Sequence, residues 1–401
     1  MTARPARIVA LAAGGDGVSE DGLYVPYAAP GDLLEVEAEG GRGAIARIVA
    51  PSPDRAEPVC PHFGICGACQ LQHMALPAVL AWKREQVARA LAQAGLTPDI
   101  EATLDAHGEG RRRVTLAIKN GVAGYHLRGS HAVMPVDTCP ILAPGLARAI
   151  PFAQALAKAL PDKWVSLALT ATQSGIDADI KGPLHSNARL NRALAALARE
   201  HGLARLTAER EPIALYRTPQ IGMGPVATVI LPPGAFLQAT AKGEDVLGGL
   251  VLDGVKRSRK VADLFCGVGP FAIRLAARAQ VYAADSDADA VAALRKAVAV
   301  PGFKPVVAER RDLFRRPLVA QELEPFDAVV FDPAFDGAAA QAAELAGSRV
   351  PRIVAVSCNP ASFARDAKVL SEGGYAITRV TPVDQFRFST HVEIVAQFER
   401  R

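Results

Sequence analysis

The residues able to do the most demanding chemistry lie at the end of one apolar stretch near the carboxyl terminus. Ile353–Val356 is a β-branched run typical of a buried parallel strand, and it ends abruptly at Ser357-Cys358-Asn359-Pro360. In open α/β sheets, ligands and chemistry lie at the carboxyl ends of the strands. A lone cysteine at such a place is more often a small core residue. The neighbouring motifs therefore decide whether Cys358 is a nucleophile.

Acidic residues follow other predicted strands in the last third of the chain. Lys260–Phe271 is typical of a strand, a glycine turn and a helix start, where glycines allow the backbone to approach a ligand closely. The next strand ends at Asp285, eighteen residues after Gly267, where a carboxylate can accept hydrogen bonds from ribose hydroxyls. Further strand ends carry Asp312, Asp332 and Cys358.

Helices alternate with these strands, so the sequence predicts a mainly parallel α/β sheet. The predicted helices are Ala288–Val298, Gly337–Ala346 and Ser362–Gly373, and a closing strand pair is predicted at Tyr375–Val383 and Val392–Phe398. The turn reads Asp-Leu-Phe-Cys-Gly-Val-Gly rather than Gly-x-Gly-x-x-Gly, which favours S-adenosylmethionine over a dinucleotide. An unrelated Rossmann-type domain is the alternative.

Four of the six cysteines indicate a metal centre. Cys60, Cys66 and Cys69 lie in one loop rich in glycine and proline, and Cys139 follows much later. Four thiolates hold either zinc or an iron–sulfur cluster. Structural zinc usually takes two tight Cys-x2-Cys pairs, so three clustered thiols with one distant partner fit a cubane cluster better; zinc, or no metal, is the alternative. The nearby histidines are predicted to be polar surface: His62, His73, His126 and His131.

The elements that would position these residues fall into three predicted domains. Residues 1–55 are expected to form a small barrel, because short strands alternate with glycine turns at Arg7–Leu11, Leu23–Tyr27, Leu33–Ala38 and Ala44–Val49. Residues 56–234 are predicted to be an α+β central domain, and residues 235–401 the catalytic domain. An amphipathic helix at about 78–95 is expected to pack on the catalytic domain.

Length and composition set broader limits. A chain of 401 residues predicts two or three domains. No run of about 18 apolar residues and no signal-peptide cleavage site is found, so we expect a cytoplasmic protein without a membrane span. We also expect a monomer. The net charge of +4 says little about nucleic acid. The arginine clusters at 111–113, 310–311 and 315–316 are predicted to be solvated surface.

Together these motifs resemble the RNA uracil-5-methyltransferases, and most closely the branch that methylates 23S ribosomal RNA and carries a [4Fe-4S] cluster. The resemblance covers nearly the whole chain and includes the cysteine set, Phe236–Thr240, Lys260–Phe271, Ser357–Asp366 and Asp384–Glu393. It implies a class I S-adenosylmethionine-dependent, Rossmann-like methyltransferase domain, preceded by an OB-like TRAM barrel and an α+β iron–sulfur domain. RNA is the implied partner, with 23S ribosomal RNA expected and transfer RNA as the alternative.

The resemblance also implies roles for individual residues. Cys358 matches the nucleophile and Glu393 the general base, while His391 is expected to be structural or orienting. The implied cofactor and substrate positions are Gln238, Phe265, Gly267, Asp285, Asp312 and Asp332. The implied cluster ligands are Cys60, Cys66, Cys69 and Cys139.

Uracil chemistry explains why these residue types are needed. C5 of uracil is too weak a nucleophile to attack a methyl sulfonium unaided. Addition of the Cys358 thiolate to C6 gives C5 enolate character, and a base such as Glu393 must later remove the C5 proton. We expect the polar strand end to lower the pKa of Cys358. The uridine must leave its stack, so loop or flipped RNA is expected.

Three positions depart from the family pattern: Thr240, Pro270 and Phe335. Pro270 has no N–H to donate to a cofactor, and Phe335 stands where an arginine is usual. The turn Asp332-Pro-Ala-Phe335 is also similar to that of methyltransferases acting on exocyclic amines. An amine-directed RNA methyltransferase and a non-catalytic RNA-binding iron–sulfur protein are therefore the alternatives.

Overall fold

The computed structural model describes residues 3–184, 187–224 and 227–401. Its strands form a closed barrel, a seven-stranded sheet, a two-stranded ribbon and an eight-stranded sheet. None of the helices in these described ranges is long and apolar enough to cross a membrane.

The barrel at the start of the chain has five strands in the order β1-β2-β3-β5-β4. They are β1 (Arg4–Leu11), β2 (Gly17–Ser19), β3 (Tyr24–Val25), β4 (Leu33–Glu39) and β5 (Arg42–Ala50). Alternate apolar side chains such as Ile8, Val25 and Leu34 point inward and are buried. The predicted small barrel is confirmed. The strand predicted to reach Tyr27 is shorter, since Tyr27 adopts a left-handed φ of 61°.

The middle of the chain contributes a mixed sheet covered by two helices. In chain order its elements are α1 (Leu76–Gln93), β6 (Leu104–Asp105), β7 (Arg113–Lys119), β8 (Val122–His126), β9 (Val133–Pro135), α2 (Ala149–Ala159), β10 (Trp164–Thr172), β11 (Gly175–Lys181), α3 (Ala188–Glu200), β12 (Arg205–Ala208) and β13 (Glu211–Leu215). The sheet order is β13-β12-β11-β10-β7-β8-β9. Apolar faces of α2 and α3 pack on this sheet through Phe152 and Leu194, which are fully buried.

The last third of the chain forms the doubly wound sheet that carries the site. After the ribbon of β14 (Gln220–Met223) and β15 (Ala227–Ile230) come α4 (Ala241–Val255), β16 (Lys260–Leu264), α5 (Ala272–Ala276), β17 (Gln280–Asp285), α6 (Ala288–Val298), β18 (Val306–Arg310), α7 (Ala320–Leu323), β19 (Ala328–Phe331), α8 (Ala339–Gly347), β20 (Arg352–Ser357), α9 (Pro360–Glu372), β21 (Tyr375–Asp384) and β22 (Glu393–Arg400). The sequence predicts a strand at Val226–Ile230, and the first residue of that range, Val226, lies outside the described residues.

The strand order of this sheet is β18-β17-β16-β19-β20-β22-β21-β6. The first five strands are parallel, and β22 runs antiparallel between β20 and β21. The predicted mainly parallel sheet with a closing strand pair is therefore confirmed. The order reverses between β16 and β19, which is where ligands bind in open α/β sheets. Leu264 lies beside Phe331 across that point, so the residues that follow each strand are neighbours.

Two elements from the middle of the chain attach to this sheet. β6 pairs in parallel with β21, and α1 packs against α9 and β21. Lys83 on α1 is fully buried, and its Nζ donates to Asp384 Oδ1 at 2.6 Å and to the Phe386 carbonyl at 3.1 Å. A buried ion pair therefore joins α1 to the segment that follows β21.

Replacing Lys83 with methionine should destabilise the region around α1 by about 3–5 kcal/mol, because Asp384 would lose its counter-charge while remaining buried. Native-state hydrogen exchange of the α1 and β21 amides measures this local free energy of unfolding. Lys368→Met is the matched control, since Lys368 meets Glu372 only at the surface, at 4.0 Å. Equal exchange rates in the two variants would contradict the prediction.

Candidate active site

Cys358 and Glu393 face each other at the carboxyl end of β20. Ser357 on β20 pairs with Ile394 on β22, so the next position on each strand brings Cys358 opposite Glu393. Both residues line a cavity of about 430 Å³, whose wall also includes Gln238. The structure therefore brings the predicted nucleophile, the predicted base and one predicted cofactor residue into a single pocket.

Acidic groups dominate the electrostatics of this pocket. Burial raises the pKa of Glu393, and the negative charge of Asp332 raises it further. Burial also raises the pKa of Asp332. The pKa of Cys358 is raised to about 12, first by burial and then by the charges of Glu393 and Asp332. Our prediction of a lowered thiol pKa is therefore wrong, because carboxyl groups are the largest charge influences on this strand end.

Two buried glutamines connect the carboxyl groups. Gln238 Nε2 donates to Asp332 Oδ2 at 3.2 Å, and Gln238 Oε1 accepts from Gln385 Nε2 at 2.6 Å. The same nitrogen of Gln385 donates to Glu393 Oε1 at 3.0 Å. Sequence reasoning missed Gln385, and the only signal was its place in the segment that ends at Glu393.

The glycine loop after β16 is held by the end of the neighbouring strand. Gly267 donates its N–H to Asp285 Oδ2 at 2.9 Å, while Asp285 Oδ1 accepts from the Asp287 N–H at 2.8 Å. Phe265 has a left-handed φ of 64°. At Gly269, a Cβ would lie 2.4 Å from the Leu294 side chain, so only glycine fits there. The three predicted residues of this loop and strand end thus form one unit at the strand-order reversal.

Asp312 lies at the following strand end, in a turn outside the catalytic pocket. Its Oδ1 accepts from the backbone N–H groups of Phe314 and Arg315, at 3.1 and 3.3 Å. The ring of Phe314 lies 5.2 Å from that of Phe265. The turn that Asp312 holds therefore lies beside the glycine loop. Asp332 donates its N–H to the Leu264 carbonyl at 3.2 Å, at the strand-order reversal.

A further acid, Asp263, was not predicted as a site residue. It is 0 % exposed within β16, and neither carboxyl oxygen has a hydrogen-bond partner in the described residues. Burial raises its pKa well above the usual value, and the charges of Asp332 and Asp285 add to this. The sequence did contain a signal for this residue, because an acid within the apolar run Val261–Leu264 is unusual in a buried strand.

The arginines at 111–113 are part of the site. Arg111 and Arg113 line the catalytic cavity. The guanidinium of Arg113 lies 4.8 Å from the ring centroid of Phe236, and that of Arg111 lies 5.8 Å from that of Phe386. The prediction that this cluster is solvated surface is wrong, since Arg112 is buried and Arg111 and Arg113 line the cavity.

The three departures from the family pattern have local roles. Thr240 begins α4: its Oγ1 accepts from the Gly243 N–H at 2.8 Å and donates to the Ala106 carbonyl at 2.6 Å. The Pro270 carbonyl accepts from Arg274 Nη1 at 2.6 Å. Phe335 is 55 % exposed, with its ring centroid 6.5 Å from that of His391.

The four predicted metal-ligand cysteines line one small pocket of about 20 Å³: Cys60, Cys66, Cys69 and Cys139. All four are free thiols. No group of three or more His, Cys, Asp or Glu side chains in the described ranges could hold a metal ion. The thiols therefore converge on one space without closing into a single-ion site. Nearby His73 is 2 % exposed, so our prediction that it is polar surface is wrong.

A thin wall separates the cysteine pocket from the catalytic cavity. Ala68, Tyr125 and Ile141 line both spaces. Tyr125 Oη lies 3.5 Å from Cys139 Sγ. Whatever orders the cysteines therefore also shapes one side of the catalytic cavity.

The strand order, with a glycine loop and acids at its reversal, defines a class I methyltransferase fold. The crystal structure of Pyrococcus abyssi tRNA (uracil-54, C5)-methyltransferase in complex with S-adenosyl-L-homocysteine matches with a TM-score of 0.75 and 23% identity, covering 98% of this chain and 99% of that one. This likeness confirms the predicted fold over nearly the full length.

Sequence similarity then defines the family. A family model described as tRNA (Uracil-5-)-methyltransferase matches residues 233–401. An uncharacterized RNA methyltransferase of Brucella suis is 43% identical, over 97% of this chain and 96% of the relative. The 23S rRNA (uracil(1939)-C(5))-methyltransferase of Shewanella amazonensis is 30% identical, over 94% and 90%. The chain belongs to the RNA uracil-5-methyltransferase family.

Alkylation of Cys358 tests the electrostatics of the pocket. A rise of the pKa from 9.0 to about 12 predicts a thiolate fraction about a thousandfold below that of an ordinary cysteine at the same pH. Iodoacetamide labelling, followed for the Cys358 peptide by mass spectrometry, should therefore be slow. Glu393→Gln should accelerate it at alkaline pH, since one neighbouring negative charge is removed.

The matched control is Glu399→Gln, which changes the same residue type at the far end of β22, where Glu399 pairs with Lys256 at the surface. This control should label at the wild-type rate. Wild-type labelling of Cys358 as fast as that of free cysteine would show that the pocket does not raise its pKa.

Proposed function

We propose that the protein is an RNA (uracil-C5)-methyltransferase that uses S-adenosylmethionine. The observation that carries this proposal is the position of Cys358 opposite Glu393 in one pocket. The named relatives support it, because one acts on uracil C5 in 23S rRNA and a structural neighbour on uracil C5 in tRNA. An amine-directed enzyme would need neither Cys358 nor Glu393.

In this mechanism, Cys358 Sγ forms a bond to C6 of the uracil, and the electron pair of the C5–C6 double bond moves toward C5 and the neighbouring carbonyl. S-adenosylmethionine, when bound, would supply an electrophilic methyl group to C5 and would leave as S-adenosylhomocysteine, whose sulfur keeps the electron pair of the broken S–CH3 bond. Glu393 then takes the proton from C5, and the Sγ–C6 bond breaks as the double bond re-forms. This step releases the 5-methyluracil, regenerates the Cys358 thiolate and leaves the proton on Glu393.

The residues at the strand-order reversal would hold the cofactor. The proposed set is Gln238, Phe265, Gly267, Asp285, Asp312 and Asp332. Gly267 and Asp285 are already joined by a hydrogen bond, so the loop has a defined shape for an adenosine group. Gln238 Nε2 donates to Asp332 Oδ2 at 3.2 Å, so these two proposed residues are held together.

For the substrate we propose a uridine of 23S ribosomal RNA, with transfer RNA as the alternative. The relative named for 23S rRNA aligns over 94% of this chain. We assign residues 1–55 to a TRAM-like RNA-binding barrel, 56–234 to a central domain and 235–401 to the catalytic domain. The half-buried position of Cys358 requires the base to leave its stack. A cytoplasmic monomer stays a prediction.

We also propose that Cys60, Cys66, Cys69 and Cys139 hold a [4Fe-4S] cluster. Four thiols line one pocket, yet they do not close into a single-ion site. A polynuclear cluster spaces its ligands more widely than the tetrahedral zinc site, with its Zn–S bonds of about 2.3 Å. The donor set therefore fits a cluster better than zinc.

RNA containing 5-fluorouridine should trap the enzyme covalently in the presence of S-adenosylmethionine. Fluorine at C5 cannot be removed as a proton, so the adduct to Cys358 cannot be released. A denaturing gel should show a shifted band that is absent in Cys358→Ser. With ordinary RNA, Glu393→Gln should turn over about 10²–10⁴-fold more slowly and accumulate the methylated adduct.

Each other outcome has a definite meaning. Methyl transfer without a trapped band would replace this proposal with amine chemistry. Neither signal, on both 23S ribosomal RNA fragments and transfer RNA, would indicate an RNA-binding protein. A band with transfer RNA but not with 23S fragments would confirm the chemistry and overturn the proposed substrate.

Metal analysis tests the cluster separately. Protein purified without oxygen should contain about four iron and four sulfide ions per chain, and Cys69→Ser should lose them. Cys266→Ser is the control, because Cys266 is a buried thiol in the glycine loop outside the cysteine pocket. One zinc ion per chain and no iron would contradict the proposal.

A further inference from the structure

Gln385 lines the catalytic cavity, and the sequence predicted no role for it. Its side chain is fully buried, and its amide is held at three points. Nε2 donates to Gln238 Oε1 at 2.6 Å and to Glu393 Oε1 at 3.0 Å, and Oε1 accepts from the Thr240 N–H at 3.4 Å. Both amide hydrogens are therefore used, and the orientation of the group is fixed.

Of these three hydrogen bonds, the one to Glu393 acts on the predicted general base. Within the described residues, Gln385 is the one hydrogen-bond donor to the Glu393 carboxyl group. A donor to a carboxylate stabilises its charged form and fixes the direction of its lone pairs. A base that must take a proton from carbon needs both properties, since it must be ionised and aimed at C5.

The other ionisable groups around Glu393 either oppose its ionisation or make no direct bond to it. Asp332 from the end of β19 and Cys358 from the end of β20 add negative charge when they ionise. Arg111 and Arg113 line the same cavity, but the hydrogen bonds of Arg113 go to the Leu237 carbonyl. His391, two residues away, has its ring near Phe335 and Phe386. Gln385 is the donor that opposes the effect of burial.

We propose that Gln385 is a positioning residue that keeps the Glu393 carboxylate ionised and directed at uracil C5, and that couples it to Gln238 on the cofactor side. This inference rests on the proposed uracil-C5 chemistry. It concerns the proton-removal step and not the addition of the thiol, because Gln385 makes no hydrogen bond to Cys358 among the described residues.

The test compares Gln385→Met with wild type in two assays. Gln385→Met keeps the length of the side chain and removes both donors. Trapping on 5-fluorouridine RNA, which stops before proton removal, should proceed at a rate close to wild type. Turnover on ordinary RNA should fall at least about tenfold at neutral pH, with adduct accumulating.

The pH profile separates a positioning role from a structural one. The base must be unprotonated, so loss of the donor should move the rise of kcat to higher pH by about one unit. The shift belongs to kcat because proton removal follows the irreversible methyl transfer. The pH dependence of trapping, measured separately, accounts for the Cys358 thiol. If Gln385→Met fails to fold, Gln385→Glu is the second variant. It should move the rise in turnover to still higher pH, because it adds a third carboxyl group beside Glu393 and Asp332.

Gln341→Met is the matched control. Gln341 on α8 is also a buried glutamine, but its amide bonds the backbone of Leu318, away from the pocket. It should leave the profile unchanged. Wild-type turnover and profile in Gln385→Met would overturn the inference, as would equal losses of trapping and turnover without a pH shift. No trapping in the wild type would overturn the proposed function, and the inference with it.

Discussion

The buried ion pair between Lys83 and Asp384 determines where the catalytic segment lies. Both side chains are 0 % exposed. Burial lowers the pKa of Lys83, and the adjacent Asp384 opposes that effect. Such a pair is stable only while both partners are present. Asp384 is the last residue of β21, and Gln385 follows it directly, so a helix from residues 76–93 takes part in placing the amide that contacts Glu393. The central region and the methyltransferase sheet are thus one structural unit at the active site.

The cysteine loop attaches to the same segment from the other side. The N–H groups of Gln70 and Leu71 both donate to the Phe388 carbonyl, at 2.8 and 2.9 Å. Phe388 has a φ of 68°, a conformation that a bulky residue keeps only when its surroundings impose it. Cys69 directly precedes these donors. Anything that orders Cys69 therefore also stabilises the turn between Gln385 and Glu393. The proposed cluster would therefore have a structural role beside a reaction that transfers no electrons to the substrate.

The sequence predicted those parts of the site that depend on local pattern. The strand ends at Asp285, Asp332 and Cys358 follow from apolar runs with sharp ends. Helix α6 spans its predicted range, and Asp287 caps its start. The side-chain network could not be predicted in this way. Lys83 and Asp384 are 301 positions apart, and Gln385 reaches Gln238 across 147. Only the registers of the folded sheet bring such residues together. The error over the Cys358 pKa has the same origin, since a strand-end pattern does not say which charges face it.

Three acids in one water-poor pocket cannot all be ionised together. Burial raises the pKa of Glu393, Asp332 and Cys358, and neighbouring negative charge raises the pKa of Glu393 and Cys358 further. Yet the proposed chemistry needs an ionised thiol to attack C6 and later an ionised Glu393. Among the described residues that line the cavity, only Arg111 and Arg113 are cations. Burial lowers the pKa of Arg113 to about 10, which leaves it charged at neutral pH. They are therefore the positive charges that line the cavity shared by Cys358 and Glu393. Gln385 then acts on the requirement for an ionised base, because its donor to Glu393 favours the carboxylate without adding charge to the pocket.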